Sequence, residues 1–118
     1  MLGFPKSVRL SGDKLFGLVL SEGKRKAFPG GEIFWRENGL SYARFGFRVS
    51  SKVGKAHLRI GLRRRAREMA RKNQSLFKPG FDYVIVIRHP NVFRQTPDEK
   101  MPDYLFSLFG SDVLTRVS

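Results

Sequence analysis

Residues 55–72 constrain the fold more than any other part of the chain. Wound at 3.6 residues per turn, they place Leu58, Leu62, Ala66 and Met69 within an arc of about 80°. Arg59, Arg63, Arg67 and Arg71 form a stripe at i, i+4 spacing beside that arc, with Arg64 adjoining. Such a helix docks one face on a sheet and turns the other outward. Like charges at this spacing repel by about 0.2–0.5 kcal/mol per pair, and Glu68 is the only acid set against eight Lys and Arg. A merely solvated helix intersperses acids among its bases, so the outward face is suited to a polyanion. Six of the eight cations are Arg, whose planar fork pairs with phosphate and stacks on bases. That favours structured nucleic acid over a diffuse attraction to lipid.

The rest of the composition supports a folded nucleic-acid binder. The net charge of +13 in 118 residues is concentrated unevenly. Residues 1–54 carry ten Lys and Arg against four acids, 55–72 carry eight against one, and 73–118 carry five against five. The partner's footprint is therefore expected to avoid the C-terminal third. Charge of this size strains a folded domain by self-repulsion, and binding to phosphates relieves it. A hydrophobic fraction of 41% and eleven Phe argue for one packed domain rather than a disordered basic tail. The absence of Cys excludes disulfides and thiol chemistry and suits a reducing compartment. No apolar run is long enough for a membrane span or a signal peptide, so the cytoplasm is the expected location.

Along the chain, "LSGDKLFGLVLSEGK" reads as a short first helix, capped by Ser11 or Asp13, apolar at Leu15, Phe16, Leu18, Val19 and Leu20, and ended by Gly23. Its apolar side is wider than one core contact needs. Pro29, Gly30 and Gly31 break the chain before a strand over residues 32–36. Asn38 and Gly39 then turn it. "YARFGFRVS" alternates, with Ala43, Phe45, Phe47 and Val49 on one side and Tyr42, Arg44, Gly46, Arg48 and Ser50 on the other. This predicts an antiparallel hairpin with a core face and a basic, open face. Residues 83–87 form an apolar, β-branched run bounded by Pro79-Gly80 and Pro90, as a buried strand would be. A last helix fits residues 97–108 if Pro102 sits in its first turn.

Catalysis by the chain itself has no visible basis. His57 and His89 lack partner groups, the ten acids are scattered, and no paired-carboxylate cluster, metal-ligand spacing or nucleophile elbow occurs. The reading is therefore a binding protein with no catalytic residues and no metal site of its own.

The residues also resemble a known family. "FPKSVRL", Phe16, "EGKR", "SYARFGFRVSSKVGKA", "LRIGLRRRARE" and "KPGFDYVIVIR" follow, in order, the pattern of the bacterial ribonuclease P protein subunit over roughly residues 4–88. The resemblance implies one α+β domain of order α-β-β-β-α-β-α with a mixed sheet of about four strands. It also implies that the arginine helix crosses, left-handed, between parallel strands at 44–49 and 83–88. In that family the protein binds a catalytic RNA and the 5′ leader of precursor tRNA, and the RNA with its Mg²⁺ ions cuts the chain. By resemblance Lys52, Lys55, Arg59, Arg63, Arg64 and Arg67 lie against RNA, and the helical stripe itself adds Arg71 to that set. Phe16, Leu20, Arg48 and either Phe34 or Trp35 line a leader cleft. One departure stands out: the family's Arg-Asn-Arg is Arg59-Ile60-Gly61 here, so only the first arginine carries over. A structural RNA-binding protein of ribosomal type is the alternative function. A helix-turn-helix DNA binder is disfavoured because no short helix and Gly turn precede the arginine helix.

Overall fold

A computed structural model describes residues 8–93 and 96–115; the start of the family resemblance, residues 4–7, lies outside them. The elements are α1 (Asp13–Glu22), β1 (Lys24–Phe28), β2 (Gly31–Glu37), β3 (Arg44–Val49), α2 (Ala56–Lys72), β4 (Phe81–Ile87) and α3 (Met101–Phe109). This is the expected α-β-β-β-α-β-α order of an α+β fold. The strands form one mixed sheet in the order β1-β2-β4-β3. β1 pairs antiparallel with β2, β2 antiparallel with β4, and β3 parallel with β4, so α2 is the crossover between two parallel neighbours.

That order corrects the hairpin read from the sequence. β2 and β3 do not pair, because β4 lies between them, bonded to both along their lengths. The physical reason is the composition of β4: Tyr83 to Ile87 are all buried, and a strand of this kind is most stable at the centre of a sheet. The actual hairpin is β1–β2, turned at Pro29-Gly30, where Gly30 has φ 94°. The Asn38-Gly39 turn redirects the chain instead. Its Asn38 side chain donates to Asp82 Oδ1 at 3.0 Å and accepts from the Leu40 N–H at 2.8 Å.

Alternation along the strands sorts side chains to two faces. One face carries Trp35, Tyr83 and Phe45 in a single cross-strand row, with Ile33 and Ile85 in the next. α2 covers it with Leu62, Ala66, Met69 and Ala70, and α3 with Met101, Leu105, Leu108 and Phe109. Phe45 stacks on Tyr83 with centroids 5.5 Å apart, and Phe77 meets both rings edge-on. The Tyr83 hydroxyl donates to the Lys78 carbonyl at 2.6 Å, and burial raises the pKa of the phenol. Leu58 was expected in this interface, yet it is 48% exposed. β3 has ended by Val49, and Leu58 folds instead against the turn at Gly54. In α3, Pro102 sits in the first turn as required.

α1 packs on the other face. Val19 and Leu10 are buried with Val84 and Val86, and Leu15, Phe16, Leu20 and Phe34 pack around them half-exposed. This face is therefore partly covered, not open as its basic alternation suggested. α1 begins after Gly12, with neither Ser11 nor Asp13 capping it by a side chain. It ends at Gly23, where a Cβ would lie 2.7 Å from the Trp35 carbonyl oxygen. Only glycine lets the helix end this close to β2.

Candidate nucleic-acid interface

Gly46 seats the aromatic ring at the centre of the site. A Cβ at this position would lie 2.9 Å from Phe16 Cε1 and nearer still to Cζ, so the missing side chain on β3 is what lets the Phe16 ring lie against the strand. The Arg48 guanidinium sits over the same ring, 5.0 Å from its centroid. Such an arrangement is a cation–π contact. In the same cross-strand row as Gly46 come Val84 and then Phe34, about 10 Å away at two strand spacings. Leu20 packs with them.

The register puts Phe34 and Trp35 on opposite faces of the sheet. Phe34 faces α1 and joins Phe16 and Leu20, whereas Trp35 is buried on the opposite face with Tyr83 and Phe45. The structure does not bring Trp35 into the cleft.

α2 supplies the basic wall. Arg63 and Arg67 line a small hollow with Phe16, Gly46 and Phe47, about 120 Å³ in volume. Arg64 adjoins them, and Lys52 and Lys55 stand exposed at the junction leading into the helix. Arg71, the last of the stripe, is turned to Glu68, donating from Nε at 3.1 Å and pairing again through its terminal nitrogen. It is therefore not among the unpaired cations. Desolvation, followed by the charges of Arg9, Arg63 and Arg64, lowers the pKa of the Arg67 guanidinium. No carboxylate among the described residues pairs with Arg59, Arg63, Arg64 or Arg67.

Arg9 enters this cluster from outside the predicted set. Arg9 falls within the "FPKSVRL" stretch that carries the resemblance, but nothing in the sequence assigns it to this cluster; its place between two apolar residues hints only at a short extended segment. Glu32 and Asp82 were likewise not marked as structural anchors. Asp82 takes a paired hydrogen bond from Arg44, both at 2.8 Å. Glu32 is held by Arg88 and Arg25, the Arg88 hydrogen bond being the main reason its pKa is lowered.

Larger hollows lie elsewhere, two of them of about 640 and 560 Å³. The first mixes Glu22, Glu37 and Asp112 with Lys24, Arg36 and Lys78, which suits no polyanion. The second lies at the C-terminal end of α2, around Tyr42 and Phe77. Among the described residues, no three His, Asp or Glu side chains gather where they could hold a metal ion.

The family model for ribonuclease P matches residues 4–108, nearly the whole chain. This chain belongs to the ribonuclease P protein family. The ribonuclease P protein component of Thermotoga maritima is 38% identical over 85 residues, covering 72% of this chain and 73% of the relative. That of Photorhabdus laumondii is 36% identical over 88 residues, covering 74% and 73%. The solved Thermotoga maritima protein superimposes with a TM-score of 0.72 at 32% identity, covering 87% of this chain and 98% of the other. A Staphylococcus aureus ribonuclease P protein gives 0.74 at 21% identity, which supports the fold alone. The chain is thus the protein subunit of ribonuclease P, the tRNA 5′-processing enzyme, and its partner is ribonuclease P RNA. Within this family fold, Ile60 is 47% exposed on α2, and nothing lies within 4 Å of a Cβ placed on Gly61.

Proposed function

We propose that the Phe16 cleft receives the extended 5′ leader of precursor tRNA, while the outward side of α2 and the Lys52–Lys55 junction lie against the catalytic RNA. One observation carries this reading: a ring seated on Gly46 beneath Arg48, bordered by the unpaired Arg63 and Arg67. Single-stranded bases stack on such rings while a basic groove tracks their backbone. A duplex cannot enter to stack its bases. Mature tRNA lacks the leader, so the holoenzyme distinguishes substrate from product through this cleft.

The Mg²⁺ ions and the cleavage chemistry are assigned to the RNA, and the protein's part is to bind and position. Among the described residues no helix is long and apolar enough to cross a membrane, and we assign the holoenzyme to the cytoplasm, where tRNA precursors are made.

The test reconstitutes the protein with the ribonuclease P RNA of the same genome and measures affinity for precursor and mature tRNA. Phe16→Ala should weaken precursor binding by about 1–3 kcal/mol, the worth of one stacked base, and leave mature tRNA unchanged. Equal losses for both RNAs would place Phe16 in the packing alone. Repurified, RNA-free protein should not cut the precursor.

A further inference from the structure

The segment holding Arg9 is built as a mount. The Leu10 N–H donates to the Phe45 carbonyl at 2.8 Å, and Arg9 forms a parallel bridge with Phe45 at the outer edge of β3. On either side of Arg9 the chain is pinned. Val8 is buried in the core under α2 and α3, and Leu10 is buried in the cluster under α1. Arg9 itself is exposed between them. Its backbone is therefore fixed at the gap between the two helices, and its side chain lines the same hollow as Phe16, Arg63 and Arg67.

Three guanidiniums thus converge from two separate elements, and no acid among the described residues pairs with any of them. Their mutual repulsion is an energetic cost that only an anion removes. The hollow, at about 120 Å³, is well below the roughly 300–1,000 Å³ of small-molecule sites, so it suits a group rather than a whole molecule. Guanidinium forks bind phosphate oxygens in pairs. Phe16 on its border supplies a ring for the adjoining base.

From this geometry we infer that Arg9, Arg63 and Arg67 form a cradle for a single backbone phosphate of the RNA strand that stacks on Phe16. Arg9 is then a substrate-positioning residue that sets the register of the strand: the phosphate held here decides which base meets the ring. The inference rests on the leader-cleft reading and sharpens it to one phosphate.

The experiment uses the reconstituted holoenzyme and a series of precursor tRNAs, each with one leader phosphate replaced by a neutral methylphosphonate. With the wild-type protein, one position should lose affinity by about ten- to a hundredfold, as expected for a charged hydrogen-bonded contact. With Arg9→Ala the unmodified precursor should show a loss of that order, and neutralising the same phosphate should then add less than about threefold. Affinity for mature tRNA should not change. Arg9→Gln repeats the measurement should the alanine variant melt at a lower temperature. Additive losses at every position, with the fold intact in either variant, would remove Arg9 from any phosphate and overturn the cradle. If the wild-type holoenzyme bound precursor and mature tRNA equally, the leader-cleft reading itself would fall, and the cradle with it.

Discussion

Two sets of arginines share this small domain, and they differ in what stands opposite them. On the sheet, Arg44 is locked to Asp82, and Arg25 and Arg88 close on Glu32. Beside α2, Arg9, Arg63 and Arg67 line one hollow, with the charge of Arg64 near Arg67, and none of the four has an acid partner among the described residues. The first set is already satisfied and holds strands together. The second is satisfied only by something brought from outside. A count of positive charge cannot separate the two sets, but the position of the few acids does.

The sharpest way to break this contrast is to unpair a sheet arginine. Arg44→Met leaves the Asp82 carboxylate buried with only Asn38 beside it, and should cost about 2–4 kcal/mol in chemical denaturation. The salt dependence of RNA binding should stay as in the wild type. A changed slope would show that the sheet set also meets RNA.

The converse change is Arg63→Ala with Arg67→Ala. Stability should hold or rise slightly as repulsion is relieved, while RNA affinity falls by about tenfold or more. The slope of log K against log salt should drop by about 0.7 for each single-strand phosphate that the variant no longer neutralises. Unchanged affinity and slope would assign this side of α2 to solvent.

Glu32 gives a smaller and pH-dependent effect. Its pKa in the fold lies below the ordinary value of 4.5. Its contribution is therefore complete above that ordinary value and is lost as pH falls through the lower, folded one. Because Arg25 and Arg88 are more than half exposed, Glu32→Gln should cost only about 1 kcal/mol at pH 7. The gap between wild type and variant should shrink in acid, and a gap that persists at pH 2 would locate the effect in packing.

The smallest effect belongs to Gly61. With open space around its missing Cβ, Gly61→Ala should stabilise the free protein by about 0.5–1 kcal/mol, read as a rise in melting temperature. A fall would mean that the helix needs glycine there for its own packing.

Helix periodicity made most of α2 legible in advance, because Leu62, Ala66 and Met69 recur on one side whatever the sheet does. It failed at Leu58, where the face is right but the sheet has ended. Strand order was harder to read. Asn38-Gly39 is a good local turn signal, and only the long-range demand of β4 for two partners pulls β2 and β3 apart. The choice between Phe34 and Trp35 turned on one residue of register, and a one-residue slip exchanges the faces of a strand. The i, i+4 stripe brought Arg63 and Arg67 to one side of α2, where they line the same hollow, but equal spacing could not show that Arg71 is taken by Glu68. Arg9 was out of reach because its neighbours in space come from α2, more than fifty positions away.

The outer edge of the sheet has a consequence for the protein before it meets its RNA. Among the described residues β1 is paired on one side only, and an unpaired strand edge invites a second copy to add itself there. This edge carries Lys24, Arg25 and Lys26 in succession. Two copies approaching strand to strand would bring these charges together, each already at a net +13. The same surplus of charge that suits the subunit to RNA thus opposes strand-to-strand association of its free copies.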